Sequence, residues 1–311
     1  MTNHLTIVMY HYIRQLERTR YPAIKGLRIN EFRNQLDYLQ RNYHIISMAD
    51  VVAAKSAGEN LPPKSCLLTF DDGYIEHFTT VFPILFDRKL SGAFYPPVAT
   101  IERGELLDVN RVHFLLSVAD PIGLKTSIDK IIHREEKKYK LEPPDFYYQK
   151  WGIANRFDSS DIIYIKRMLQ TVLPYPLRST IARDLFSKHV SIDESTFAAE
   201  LYLNPDQARM MVACGMHFGS HGDKHLWLNH TDAATQASEI NGSLRFLRSI
   251  GEKPEEFWTL AYPFGGWNEP LLSLLRQYGC KFALTTQAKM ADLDINDPLL
   301  LPRYDTNDFP K

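Results

Sequence analysis

The feature that most constrains the fold is the run Leu67-Leu68-Thr69-Phe70-Asp71-Asp72-Gly73-Tyr74, an apolar stretch that stops at two adjacent carboxylates and a glycine. A short apolar run bounded by a turn signal reads as a buried strand. A strand that delivers charge at its end suits an α/β protein, where the loops after strands carry function. Neighbouring strand residues point to opposite sides, so Asp71 and Asp72 cannot do the same job unless the chain bends after Asp71, a bend that Gly73 permits. The same pattern also suits a plain strand end followed by a helix N-cap, because Asp caps helices and favours their positive end.

The chain around this run has an α/β rhythm with one interruption. Residues 5–10 read as a second buried strand, which delivers His11 at its end. Helical spacing covers 30–43, with Asn30 as the expected cap, and 48–57. Residues 75–89 are expected to form a helix kinked at Pro83, and 91–95 a strand. From about 106 to 203 strand signals nearly vanish. Helices are expected at 110–118, 124–139, 159–173 and 176–188, forming a helical insertion within a single domain of residues 1–311. Alternation then returns: helix 204–214 with Asn204 as cap and Pro205 at its first position, strand 216–220, helix 231–250, strand 257–262, helix 269–278, and strands 281–286 and 298–301. Repeated βα units of this kind make a mostly parallel sheet or a barrel.

Composition narrows the function class. Lys plus Arg number 36 and Asp plus Glu 37, a balance that argues against a general nucleic-acid binder. No stretch approaches the roughly 18 apolar residues of a membrane span. Met1-Thr2-Asn3-His4-Leu5 lacks the basic and apolar regions of a secretory signal, so a cytoplasmic protein is expected. Cys66, Cys214 and Cys280 are scattered with no CxxC spacing, which fits reduced thiols and neither a disulfide framework nor a thiolate metal site. Oligomeric state is left open.

A second constellation lies in Ser220-His221-Gly222-Asp223-Lys224-His225. On a helical turn, histidines at i and i+4 share one face and lie close enough to hold one ion. The plain alternative is a capped turn with exposed histidines. If Asp71 or Asp72 joined the pair, two imidazoles and a carboxylate would leave positions open for water and substrate, as a catalytic metal site requires. The other carboxylate could then accept a proton from an activated water. One divalent ion is implied. The donors fit Zn²⁺ best, and other first-row metals are compatible.

Three pieces now stand together: Thr69-Phe70-Asp71-Asp72-Gly73, His221-Gly222-Asp223-Lys224-His225, and Ala261-Tyr262-Pro263-Phe264-Gly265. In this order and spacing they resemble the polysaccharide deacetylases, the NodB-homology carbohydrate esterases of family 4, over residues 1 to about 100 and 200 to 305. The resemblance implies an α/β fold, a distorted (β/α)7 barrel, here with a large helical insertion. It implies Asp71 as catalytic base and Asp72, His221 and His225 as metal ligands. It also implies that the backbone N–H of Phe264 stabilises the oxyanion.

The sequence departs from the family pattern in places. Gly222 stands where Ser or Thr is usual. Ala261 stands where an Arg usually pairs with the catalytic Asp, and Arg303 is a candidate substitute whose other reading is a structural ion pair. No histidine follows His230, so the family's late acid His is missing; His11 is the first candidate to replace it and His113, in the insertion, the second. Tyr74, Tyr262, Trp267 and Arg303 are expected on the substrate side, with core or rim packing as the alternative for the aromatics.

The implied reaction is metal-dependent removal of an acetyl or other small acyl group from an N-acyl amino sugar. The expected substrate is a nucleotide- or lipid-linked sugar, or an oligosaccharide precursor of surface polysaccharide. Two alternatives stand beside it. One is a catalytically degenerate carbohydrate-binding barrel, which would have no need to keep four costly buried groups together. The other is a cyclic amide or imide hydrolase on the same fold, which the intact His pair disfavours.

Overall fold

The structure is a computed structural model and describes residues 3–155 and 158–311. The chain divides into two compact units, residues 1–15, 26–105 and 198–311 in the first and residues 16–25 and 106–197 in the second.

The first unit is built on parallel strands. They are β1 (His4–Tyr10), β2 (His44–Ile45), β3 (Ser65–Asp71), β4 (Ala93–Tyr95), β5 (His217–Phe218), β6 (Thr259–Ala261) and β7 (Phe282–Leu284), with short β8 (Ala291–Asp292), antiparallel to β1, and β9 (Tyr304–Asp305) late in the chain. β1, β3, β4 and β5 pair in that order, all parallel. The single bridge Ser220↔Leu260 passes the ring on to β6, which pairs with β7; the bridge Leu284↔Leu301 and the pairing of β9 with β1 complete it. The expected distorted (β/α) barrel is therefore present, and its distortion lies at the two joins made by one bridge each. Among the described residues no helix is long and apolar enough to cross a membrane.

Strand periodicity explains how the barrel packs. Tyr10, Phe70, Phe94 and Phe218 lie in register on four neighbouring strands. Their rings stack in a ladder with centroids 5.1, 4.8 and 5.5 Å apart. This ladder joins the cluster containing Phe32, Leu36 and Leu39 of the helix Ile29–Asn42. Residues of the opposite parity, such as Ile7, Leu67 and Tyr95, cluster instead with Ala261 and Leu284 of other barrel strands. Asp71 shares the parity of Leu67, so the strand carries its carboxylate to the side that the barrel strands share.

Several local expectations are corrected. Asn30 lies inside the first helix; the chain enters that helix at Arg28, whose N–H donates to Glu31. The expected kink at Pro83 takes the form of a π turn, His77–Val81, followed by the helix Phe82–Asp87. Pro83 has no N–H to continue the α ladder, and Phe82 N–H instead donates to His77 O, one residue further back than in an α-helix. Residues 298–300 form a 3₁₀ turn, leaving only Leu301 to bridge β7. The short helices Val98–Arg103, Pro144–Trp151 and Glu194–Leu201, with β8 and β9, have too few residues to show a period.

The second unit is helical. Its helices Asp108–Val118, Pro121–Tyr139, Ser160–Arg167 and Tyr175–Val190 bury Val112, Leu115, Ile128, Tyr164 and Ile181 in one core. Residues 16–25 also belong here, where Tyr21 packs edge-on against Phe114 and Phe197.

Candidate active site

Asp71 ends β3 and is fully enclosed. Arg303 grips it in a fork: Nη1 donates to Oδ1 at 2.9 Å and Nη2 to Oδ2 at 2.8 Å. The guanidinium is itself fixed, with Nε donating to Thr285 O and Nη1 also to Thr69 Oγ1. Burial by itself pushes the Asp71 carboxyl upward, but Arg303, helped by His221, outweighs it and holds the group below its ordinary range. Arg303 is 1% exposed, so its side chain is spent on Asp71 and not presented to a substrate, a correction to its expected place on the substrate side.

Asp72 departs from strand geometry at once. Its φ is +73° and that of Gly73 +68°, so the bend begins one residue earlier than Gly73 alone would give. The turn separates the carboxylates: Asp71 stays with Arg303, and Asp72 faces His221 and His225. Asp72 Oδ1 lies 3.5 Å from His221 Nε2 and 3.4 Å from His225 Nε2. It is buried and, among the described residues, has no hydrogen-bond partner, which is costly unless something else compensates it. Asp72 Oδ2 accepts from the Tyr74 hydroxyl at 2.6 Å. The three donor atoms lie within 4.8 Å of one another. Ligands about 2.0–2.1 Å from a tetrahedral Zn²⁺ would be roughly 3.3 Å apart, so the Asp72–His separations fit such an ion.

The charges of Asp72, His221 and His225 act on one another. Burial opposes the charged form of Asp72, yet His221, His225 and His11 together hold its carboxyl well below the ordinary value. Burial and the neighbouring His221 push His225 down to about 3. For His221 burial also acts downward, but Asp72 and Asp71 raise it overall. Its Nδ1 donates to Ala261 O at 2.6 Å, which turns Nε2 toward Asp72.

The pair His221 and His225 does not sit on a helical turn as its spacing suggests. The stretch between β5 and the 3₁₀ turn Leu228–His230 is a loop, with Gly222 at φ +75° and His225 at φ +55°. These left-handed residues bring the rings to 4.8 Å between centroids. The loop is held from both sides. Val98 and Ala99 N–H donate to Gly222 O and Asp223 O, and Glu239 Oε2 accepts from Asp223 N–H and Lys224 N–H.

Phe264 also has a left-handed backbone, φ +57°. The hydrogen bonds of its turn run from Gly265 N–H to Tyr262 O and from Gly266 N–H to Pro263 O, so the Phe264 N–H takes no part in them. The ring lies 4.7 Å from His225 on one side and stacks on Trp227 at 4.8 Å on the other. Trp227 is half-buried and only two residues past His225, a position that reading for strand ends overlooks.

Other expected residues fall in different places. His11 is half-buried at the end of β1 and within electrostatic reach of Asp71, Asp72 and His225. His113 belongs to the second unit. Tyr74 is completely buried, stacked on Tyr12 at 4.0 Å; its role is to hold Asp72, not to present a face to a sugar. Tyr262 is likewise in the core, its hydroxyl donating to Leu299 O. Trp267 is half-buried against that same core.

Comparison with known proteins bears on this arrangement. Residues 180–283 match the family model described as polysaccharide deacetylase. A stretch of 61 residues is 43% identical to the poly-beta-1,6-N-acetyl-D-glucosamine N-deacetylase of Escherichia coli (strain K12); it makes up 19% of this chain and 9% of that protein. In fold, the chain is similar to the Streptococcus pyogenes deacetylase PplD in complex with acetate, with TM-score 0.59, 17% identity, and 98% and 93% of the two chains covered. IcaB from Ammonifex degensii gives TM-score 0.53 at 17% identity, over 97% and 91%. The family-model match takes in the second and third sequence motifs, and the likeness to the solved structures shows that the chain shares their fold.

Proposed function

We propose that the protein hydrolyses the N-acetyl group of an amino sugar, with Asp72, His221 and His225 holding one divalent ion, Zn²⁺ by donor type, and Asp71 acting as general base. The observation that carries this reading is the contrast between adjacent carboxylates. Asp71 is locked to Arg303, whereas Asp72 Oδ1, with no hydrogen-bond partner among the described residues, lies between two imidazole nitrogens. That contrast also weighs against a degenerate binding protein, in which an unpaired buried carboxylate oxygen would be a cost with no return.

When bound, the ion would act as a Lewis acid toward the acetyl carbonyl and make a water easier to deprotonate. Asp71 is ionised and enclosed, so it is available to take the proton of the attacking water. Arg303 keeps it ionised and fixes its direction. The backbone N–H of Phe264 supplies a donor for the developing oxyanion. His11 is the candidate to protonate the leaving amine. The half-buried rings of Trp227 and Trp267 are the candidates for apolar contact with the sugar.

The relative's name supports an N-acetylglucosamine saccharide as substrate, either polymeric or carried on a nucleotide or lipid as a precursor. Acetate release tests both points. The metal-loaded protein is incubated with β-1,6-linked N-acetylglucosamine oligomers and, separately, nucleotide-linked N-acetyl sugars. Release from either class supports deacetylation and identifies the class; no release from any N-acetylated sugar contradicts it.

A further inference from the structure

We propose that Glu239 is a positioning residue for the metal-ligand loop: its carboxylate sets the backbone that spaces His221 from His225. The inference rests on the metal-binding reading above and extends it to a residue outside the three motifs.

Glu239 sits in the helix Ala233–Ser249 and is 4% exposed. Its Oε2 accepts from Asp223 N–H at 2.7 Å and Lys224 N–H at 2.9 Å. These are two of the three residues between the histidines. A loop cannot pair its own N–H groups as a helix does, so an acceptor oxygen placed within reach of two successive amides fixes their orientation. The third residue, Gly222, makes the contact possible. A Cβ built there would lie 2.8 Å from Glu239 Oε2. Gly222 therefore gives the carboxylate its place as well as the φ of +75° that the turn needs.

The same helix reinforces the seat. Gly242, one turn on from Glu239, faces Asp223, and a Cβ there would meet the Asp223 side chain at 3.2 Å. Arg103 Nη2 donates to Asp223 Oδ1 at 2.7 Å from the other side. Glu239 Oε2 bonds backbone amides of Asp223 and Lys224, so its action on the ligands runs through the backbone between them.

Reach and charge are separable here. Glu239→Gln keeps an oxygen at the same distance and loses the charge; Glu239→Asp keeps the charge and withdraws the oxygen by one methylene. Zn²⁺ affinity, measured by calorimetry on the full chain, is the readout, with the visible spectrum of the Co²⁺-loaded protein as a check on ligand geometry. Outer-shell partners typically change metal affinity about 10- to 100-fold. Glu239→Asp is expected to weaken Zn²⁺ about tenfold or more and alter the Co²⁺ spectrum, with Glu239→Gln within about threefold of the unsubstituted protein. Unchanged affinity in Glu239→Asp, or a loss confined to Glu239→Gln, would overturn the proposal. If the unsubstituted protein binds no divalent ion, the metal-site reading itself fails, a result distinct from either.

Discussion

Arg303 and Asp71 form a two-pronged ion pair, 2.9 and 2.8 Å, with both side chains buried. Planar guanidinium matches carboxylate in this way, and Lys could not reproduce it. Its sequence separation hides it from any local motif: the partners lie on β3 and just before β9. Removing one member of a buried pair leaves the other charged and unpaired. Arg303→Met should lower unfolding free energy by about 3–5 kcal/mol, measured by denaturant titration. It should also raise the Asp71 carboxyl, moving the acid limb of the kcat/KM profile to higher pH; an unmoved limb would separate Asp71 from that limb.

Tyr74 is expected to act through Asp72. Its hydroxyl donates to Asp72 Oδ2, so Tyr74→Phe keeps the stacked ring on Tyr12 and removes that bond. Metal affinity should fall about tenfold with little change in thermal unfolding of the metal-free protein. Calorimetry with Zn²⁺ checks the first part and a melting curve the second.

His77 gives a stability signature. It is completely buried, with Nε2 donating to His11 O at 3.0 Å, and burial lowers its pKa from about 6.5 to about 4. Between those values the unfolded chain holds the extra proton, so stability rises with pH. The contribution is full above about pH 6.5 and is lost as pH falls toward about 4, at most about 3 kcal/mol. The unfolding free energy of the protein should therefore drop more steeply over this window than that of His77→Gln. Parallel slopes would contradict the assignment.

Trp227 stacks on Phe264 and remains half-exposed. Trp227→Ala should raise KM for an N-acetylglucosamine oligomer several-fold, by loss of about 1 kcal/mol of ring contact, while Zn²⁺ affinity stays unchanged. A loss of metal affinity as large as that of kcat/KM would place the ring in support of the ligand loop instead.

Much of the barrel was legible because its strands end in recognisable chemistry and its helices carry a clear period. Residues 48–57 and the Asn204-capped helix emerge as read, since cap, proline and spacing are all local signals. The features that local pattern does not reveal depend on distant partners. β9 is two residues long and exists because β1 lies beside it. The His221/His225 spacing suggested a helical turn, whereas left-handed backbone at Gly222 and His225 does the work. Positions at strand ends put Tyr74 and Tyr262 on the substrate side, with core or rim packing as the alternative; both point into the protein, Tyr74 toward Asp72 and Tyr262 toward Leu299 O. Glu239 carries no motif at all, because its contact is with backbone amides and leaves no pattern of its own.

The central claim is that two adjacent carboxylates have separate tasks, one binding the ion and the other moving a proton. Zn²⁺ binding to Asp71→Asn and Asp72→Asn, measured by calorimetry beside the unsubstituted protein, tests it most directly. Asp71→Asn is expected to bind Zn²⁺ within a few-fold of normal while losing about 10²–10⁴ in turnover, and Asp72→Asn to lose the ion. Loss of Zn²⁺ in Asp71→Asn, or undiminished binding in Asp72→Asn, would contradict it.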